Sequence, residues 1–227
     1  MDEQKGRGRM KPILFNTDMV KAILDGRKTV TRRVVRLPPG ISPYRVELAP
    51  ETLDDLSEWD FLYGQQIKGG LADCFYRACA PYKLGDILYV RETWADIPET
   101  APGNIHFKAD ATEADLKWFR EEGWRWRPSI HMPKGIARLF LRVTDVRAEM
   151  LQSIKTDECV DEGAVMKPHY TKRGDLCLHS RYKTEFSTLW DSTVKKSDLN
   201  RYGWEANPWV WVIVFERCKK PEEGGTT

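Results

Sequence analysis

The last strongly apolar segment of the chain, Asn207–Phe215, limits the fold more than any other stretch. Tryptophan, valine, isoleucine and phenylalanine fill both sets of alternating positions from Trp209 onward. A strand that is apolar on both faces is covered on both faces, as in the interior of a sheet or barrel. We therefore predict a central barrel strand here.

Other segments predict further strands and several short helices. Lys11–Phe15 and Ile87–Trp94 have the composition of strands, and Ala137–Met150 alternates between a dry and a wet face. Helices are expected from an N-cap at Asn16 or Thr17 to Gly26, over Thr52–Trp59, from Thr112 to Gly123, over Ile154–Glu162 and around Phe186–Trp190. Residues 60–80 carry several glycines and give no clear pattern.

These elements together predict a β-rich α+β fold, a small mixed or closed β-barrel with short helices at its ends. We expect one domain over residues 11–218, with irregular insertions at about 36–80, 95–133 and 164–205. The polar segments 1–10 and 219–227 are expected to be disordered tails.

Composition limits the class of protein. The net charge of the 227 residues is +2, so a general nucleic-acid coating protein is not expected, and basic groups that bind nucleic acid must be local. No apolar run approaches the roughly 20 residues that span a bilayer, and residues 1–11 lack a secretion signal. Five scattered cysteines do not suggest a disulfide framework, so a reduced, cytoplasmic protein without membrane partners is expected.

The segment Asp25–Arg33 concentrates functional groups. It carries four basic residues and two threonines directly after the first predicted helix, with Gly26 as the helix stop. One interpretation is a ligand pocket that includes Gly26, Arg27, Lys28, Thr31 and Arg33. The other is a helix cap followed by basic side chains that are solvated or paired with nearby acids.

Two further regions offer candidate binding residues. Arg91, Glu92 and Trp94 stand at the far end of an apolar strand, where they form either a binding site or a salt-bridged strand end. In the run 123–133, Trp124, Trp126 and His131 are candidates to hold a nucleobase by stacking. The alternative is a loop held to the core by its tryptophans, with the arginines outward.

A metal site is not expected. His169, Cys177 and His179 lie close in sequence, but their spacing matches no standard zinc motif.

The spacing Gly26-x-Lys28-x-x-Thr31-x-Arg33 resembles the signature of the ASCH domain, a branch of the PUA-like β-barrel superfamily. That signature has glutamate where this chain has Thr31. Three further segments are also similar to the family. They are Leu84–Val90, which has a Gly-Asp turn before an apolar strand, the Val143–Val146 strand with its following helix, and the closing apolar strand. The insertions resemble those of longer, phage- or prophage-encoded members.

Threonine at position 31 resembles the bacterial N4-acetylcytidine amidohydrolases of this family. The resemblance implies that Lys28 is the general base, Thr31 the nucleophile and Glu162 the proton donor, with Glu158 and Asp161 as alternatives for the acid. It implies chemistry without a cofactor, on a modified nucleoside or nucleotide. A non-catalytic module that binds RNA, DNA or a nucleotide, and more remotely a ribonuclease, are the other functions that the family allows.

The proposed chemistry sets a geometric condition. Residues three apart in a regular strand point to opposite faces, so Lys28 and Thr31 work together only where the backbone bends between them.

Overall fold

The computed structural model of the chain describes residues 10–68, 70–97, 104–164 and 181–221. The strands in these ranges are β1 (Lys11–Leu14), β2 (Val30–Val34), β3 (Arg45–Leu48), β4 (Glu58–Ile67), β5 (Gly70–Cys79), β6 (Ile87–Arg91), β7 (Trp94–Asp96), β8 (Ile105–Phe107), β9 (Phe140–Met150) and β10 (Trp209–Cys218). The α-helices are α1 (Thr17–Leu24), α2 (Glu113–Glu121), α3 (Thr156–Asp161), α4 (Arg181–Thr193) and α5 (Leu199–Tyr202). Among these helices, none has the length and apolar character needed to span a membrane.

The chain divides into two compact units. The first comprises Met1–Gly26, Asp86–Arg142 and Glu216–Thr227, and the second comprises Arg27–Gly85 and Val143–Phe215. The long strands β9 and β10 each pass from one unit into the other along the chain.

In the first unit the strand order is β1-β6-β9. β1 pairs in parallel with β6, with Ile13 opposite Val90, and β6 pairs antiparallel with β9. Ile13, Leu88, Val90 and Leu141 are at most 1% exposed and form its core. β7 and β8 make a separate hairpin.

In the second unit the order is β9-β10-β2, with β2 antiparallel to β10 and Arg33 opposite Trp211. Alternation along β2 places Val30 on one face, where it packs with Val210, Val212 and residues of α3 and α4. Trp211 lies on the opposite face, where its ring meets Phe61 of β4 edge to face at 5.9 Å. Strands β3, β4 and β5 form a second sheet in this unit.

The coarse fold prediction, a β-rich α+β protein, is confirmed. The barrel is not seen, because the pairings among the described strands form open sheets that do not close. The helix expected over Thr52–Trp59 is wrong. A short 3-10 turn, Pro50–Thr52, is followed by Leu56 with a positive φ of 55°, and β4 begins at Glu58. The segment 36–80 is therefore not irregular, since it contains all of β3, β4 and β5.

Candidate functional site

The backbone turns at Gly26, between α1 and β2. Helix α1 ends at Leu24, Gly26 takes the left-handed conformation with φ of 74°, and β2 begins only at Val30. Thr29 is fixed on both sides, because its N–H donates to Asp161 O at 2.9 Å and its carbonyl accepts from Phe215 N at 2.8 Å. Lys28 therefore lies between the turn at Gly26 and Thr29, whose hydrogen bond with Phe215 continues the β2–β10 register.

The Lys28 side chain is buried and fully hydrogen-bonded. Its residue exposure is 2%, and Nζ donates to Val30 O at 2.7 Å, to Glu162 O at 2.7 Å and to Glu162 Oε2 at 2.8 Å. An ammonium group has three hydrogens, so these three acceptors use all of them.

Glu162 caps the carboxyl end of α3, and Gly163 follows it with φ of 88°. Its main-chain carbonyl is one of the acceptors left over where a helix ends, and Lys28 satisfies it. Its carboxylate bridges two cations, Lys28 through Oε2 and Arg32 through Oε1, the latter at 3.2 Å.

Arg32 organises a second part of the ionic cluster. Its side chain is fully buried, and Nη2 donates to Glu149 at 2.6 Å and to Glu158 at 2.7 Å. Arg147 pairs with the same two glutamates. Arg32 and Glu149 were not among the candidate residues from the sequence, and alternation from Leu139 puts position 149 on the strand face that was expected to be dry.

Thr31 lies on the opposite face of β2 from Arg32. It is 1% exposed, and its hydroxyl oxygen accepts a hydrogen bond from Arg33 Nη1 at 2.9 Å. Within the described residues the Thr31 hydroxyl bonds to Arg33 and not to Lys28. Arg33 Nη1 also lies 3.1 Å from the Arg32 carbonyl.

The charges shift the pKa values of the cluster in opposite directions. Burial lowers the pKa of Lys28, Glu162 opposes this, and the neighbouring guanidinium groups of Arg33 and Arg32 lower it further; the net direction is downward. Burial also acts to lower the pKa of Arg32, but the carboxylates, Glu162 foremost, outweigh it and the net pKa is raised. Of these two cations, Lys28 is thus the one whose proton is more easily removed.

A cavity of about 470 Å³ lies beside Arg33 in the second unit. Its lining includes Arg33, Arg36, Tyr76, Arg77, Tyr82 and Trp211. The lining residues include no aspartate or glutamate. Nothing in the residue pattern indicated that β5 would contribute to such a cavity.

Two candidates at the end of β6, in the first unit, have protein partners. Glu92 is 1% exposed and receives two hydrogen bonds at 2.9 Å from the guanidinium of Arg138. Arg91 donates to the carbonyls of Met132 and Ile130. This is the arrangement of a salt-bridged strand end, which the sequence left open beside a binding role.

The tryptophan candidates of the first unit pack against neighbouring apolar groups. Trp94 is 5% exposed within a core cluster, and Arg127 lies over its ring at 4.9 Å. Trp126 stacks on Phe119 with centroids 4.1 Å apart, and Trp124 packs on the same cluster. These contacts match the alternative of a loop held to the core.

Three other candidates carry less structural information. Gly26 and His131 are exposed, and Arg27 is half-buried. Residues 165–180, which include His169, Cys177 and His179, lie outside the described residues, as do the tails 1–9 and 222–227. In the part of the chain that is described, no three histidine, cysteine, aspartate or glutamate side chains group as metal ligands do.

The second unit thus defines a class of site: a buried lysine–glutamate–arginine cluster at the start of β2, next to a threonine and an arginine-lined cavity. Comparison with protein-family models, with curated proteins and with solved structures finds no match to this chain.

Proposed function

We propose that the protein is an ASCH-type, PUA-like amidohydrolase that removes the acyl group from N4-acetylcytidine or a related modified nucleoside. The observation that carries the proposal is the buried Lys28–Glu162 pair at the start of the strand that carries Thr31. Nζ and Oε2 are 2.8 Å apart, and the pair has almost no contact with solvent.

The pair supplies a base and an acid together. Transfer of one proton along the Nζ–Oε2 hydrogen bond turns the ammonium and carboxylate into a neutral amine and a carboxylic acid. Burial lowers the pKa of Lys28, which favours the neutral amine. Lys28 is then the general base and Glu162 the general acid.

In the proposed reaction Thr31 Oγ1 attacks the acyl carbonyl carbon while Lys28 takes the hydroxyl proton. The bond between that carbon and the exocyclic N4 breaks as Glu162 gives its proton to N4, and cytidine leaves. Water, deprotonated by the same pair, then cleaves the threonine ester, releasing acetate and restoring the hydroxyl. The net reaction consumes one water for each amide bond.

Arg33 has two roles in this scheme. Its Nη1 hydrogen bond to Thr31 Oγ1, 2.9 Å long, stabilises negative charge on the attacking oxygen and on the oxyanion that follows. The same guanidinium borders the cavity, so its other N–H groups are placed to donate to the acyl oxygen of a substrate that enters there.

A non-catalytic module for nucleotides or nucleic acid is the second candidate. The observation that favours it is that all three Lys28 hydrogens are donated to protein acceptors, none of which is Thr31.

Chromatography of N4-acetylcytidine incubated with the protein separates the two. We expect cytidine and acetate from the wild type and from Thr144→Val, a control at an exposed strand threonine, but no product from Thr31→Val. Peptide mass spectrometry after rapid quenching should show one acetyl group on the Thr31 peptide. An inactive wild type refutes the amidohydrolase proposal, and full activity in Thr31→Val removes Thr31 from it.

A further inference from the structure

The cavity beside Arg33 lies on the Thr31 face of β2. Arg33 stands opposite Trp211 in the β2–β10 pairing, and both residues line the cavity. Arg33 also donates to Thr31, so one side chain joins the cavity to the proposed nucleophile.

The far wall comes from the segment that was expected to be an irregular insertion. Tyr76 of β5 lies opposite Phe61 of β4, which is 0% exposed and packs against Trp211. Side chains at paired positions share a face, so Tyr76 is on the inner face of the β3-β4-β5 sheet. The sheet thereby places an aromatic group in the cavity.

The charge of the lining is positive and only partly compensated. Arg77 is paired with Asp60, at 2.7 Å, and with Glu51. Arg36 is exposed and makes no hydrogen bond or ion pair with the described residues. A cavity with three arginines and no acid in its lining favours an anion, and guanidinium groups match phosphate oxygens in geometry.

The aromatic residues and the volume fit the rest of a nucleotide. Tyr76 and Tyr82 supply aromatic rings in the lining for a base or ribose, and about 470 Å³ is within the range of small-molecule sites.

We propose that this cavity binds the phosphate of a pyrimidine nucleotide, with Arg36 as the phosphate-binding residue. The identity of the base as a pyrimidine rests on the proposed function. The inference itself is that the substrate is a nucleotide, free or within a strand, and not a free nucleoside.

Equilibrium binding tests the proposal without turnover. Calorimetry with cytidine, cytidine monophosphate and a five-nucleotide single-stranded RNA should show that the phosphate improves affinity by about tenfold, the expected effect of one charge-assisted hydrogen bond. Arg36→Ala should reduce the ratio of the two affinities to about one and leave cytidine binding unchanged. Tighter binding of the RNA than of the mononucleotide identifies a strand as the ligand, and equal binding identifies a free nucleotide.

Arg45→Ala is the matched control, because the Arg45 side chain is 66% exposed on β3 of the same sheet. Among the described residues, Arg45 forms an ion pair with Glu47 alone. It should keep the full preference for the phosphate. Cys79, exposed at the cavity, provides a second readout, since bound nucleotide should slow its alkylation.

The two proposals fail in different ways. Equal affinity for cytidine and its monophosphate, no binding of either, or a preference that survives in Arg36→Ala overturns the phosphate site. If acetylcytidine is not hydrolysed but the Arg36-dependent preference is present, the phosphate site stands and the amidohydrolase proposal fails.

Discussion

Replacing Glu162 by glutamine tests the buried ion pair directly. The Lys28 and Glu162 side chains are 0% and 5% exposed, so solvent does little to screen the charge that remains. Glutamine leaves the three Lys28 hydrogens with neutral acceptors, whereas Arg32 keeps Glu149 and Glu158. Removing one partner of a buried pair costs about 3–5 kcal/mol, and we expect Glu162→Gln to lose an amount in this range near neutral pH.

The loss should depend on pH, and the direction follows from Lys28. Its pKa is lowered in the folded protein from the ordinary 10.5, so the unfolded chain binds more protons and stability rises with pH in this interval. Loss of the Glu162 charge lowers the pKa of Lys28 further. The stability lost in Glu162→Gln cannot exceed the free energy needed to keep Lys28 deprotonated. That free energy falls by about 1.4 kcal/mol per pH unit as the pH rises toward 10.5. The deficit should therefore shrink between about pH 6 and about pH 9.

Urea unfolding followed by tryptophan fluorescence measures the deficit. The double variant Lys28→Met/Glu162→Gln should recover part of the lost stability, because it leaves no lysine charge in the site but removes the donor to the carbonyls of Val30 and Glu162. Glu121→Gln is the control, since its pair with Lys117 is 3.7 Å long and exposed, and should change stability by less than about 0.5 kcal/mol. Two results would refute the reasoning. One is a loss below about 1 kcal/mol at pH 6 in Glu162→Gln. The other is a loss in the double variant equal to the sum of the losses in Lys28→Met and Glu162→Gln measured separately.

Three further predictions concern other parts of the chain. Glu92→Gln should cost about 2–3 kcal/mol in urea unfolding, below the buried-pair range because Arg138 is 27% exposed; an unchanged midpoint contradicts this. Burial raises the pKa of Cys159 to about 11, so near pH 8 mass spectrometry should find Cys79 alkylated and Cys159 unmodified; equal rates would show that Cys159 is accessible. Gly26→Ala should cost about 1–2 kcal/mol because of its left-handed φ of 74°, with no steric contribution since nothing lies within 4 Å of an added Cβ; a neutral effect means that this turn relaxes.

Structural features that depend on residues close together in the sequence, such as helix caps, could be predicted. Asn16 caps α1 by accepting from Met19 N at 2.9 Å, and Thr112 forms a capping box with Asp115 at the start of α2. Both caps depend on residues three apart, so the sequence alone contains the information. The bounds of β9 and β10 were also close to those expected, because their hydrophobic patterns are long.

The β4–β5 hairpin could not be predicted in the same way. Its outer half is exposed on both strands, and Gly64 and Gly70 interrupt the pattern of alternation. The inner half is held by contacts of Trp59 and Phe61 with residues of β10, about 150 positions further along the chain. Tertiary packing of this kind leaves no local signal.

The candidate site shows the same division between local and distant information. Lys28, Thr31 and Arg33 stand in one short motif and were chosen as candidates from it. The sequence did not decide which of Glu158, Asp161 and Glu162 is the acid partner of Lys28. The structure places the Glu162 carboxylate on Lys28 and that of Glu158 on Arg32, while Asp161 offers its carbonyl to Thr29. These contacts join residues more than 120 positions apart, and spacing within the sequence does not specify them.

Burying the charges of the cluster costs desolvation free energy, and this cost is informative about the role of the cluster. Desolvating Lys28 and Arg32 costs several kcal/mol for each ion, and apolar residues of similar volume are often equally stabilising. Methionine and glutamine at positions 28 and 162 would fill a similar volume without a buried charge, but they would leave the carbonyls of Val30 and Glu162 without the Lys28 donor. The lowered pKa of Lys28 and its hydrogen bond to the Glu162 carboxylate fit the proposal that a proton moves along this pair. If Lys28→Met/Glu162→Gln is as stable as the wild type but hydrolyses no acetylcytidine, the cluster serves the chemistry; if it is stable and fully active, the cluster serves neither.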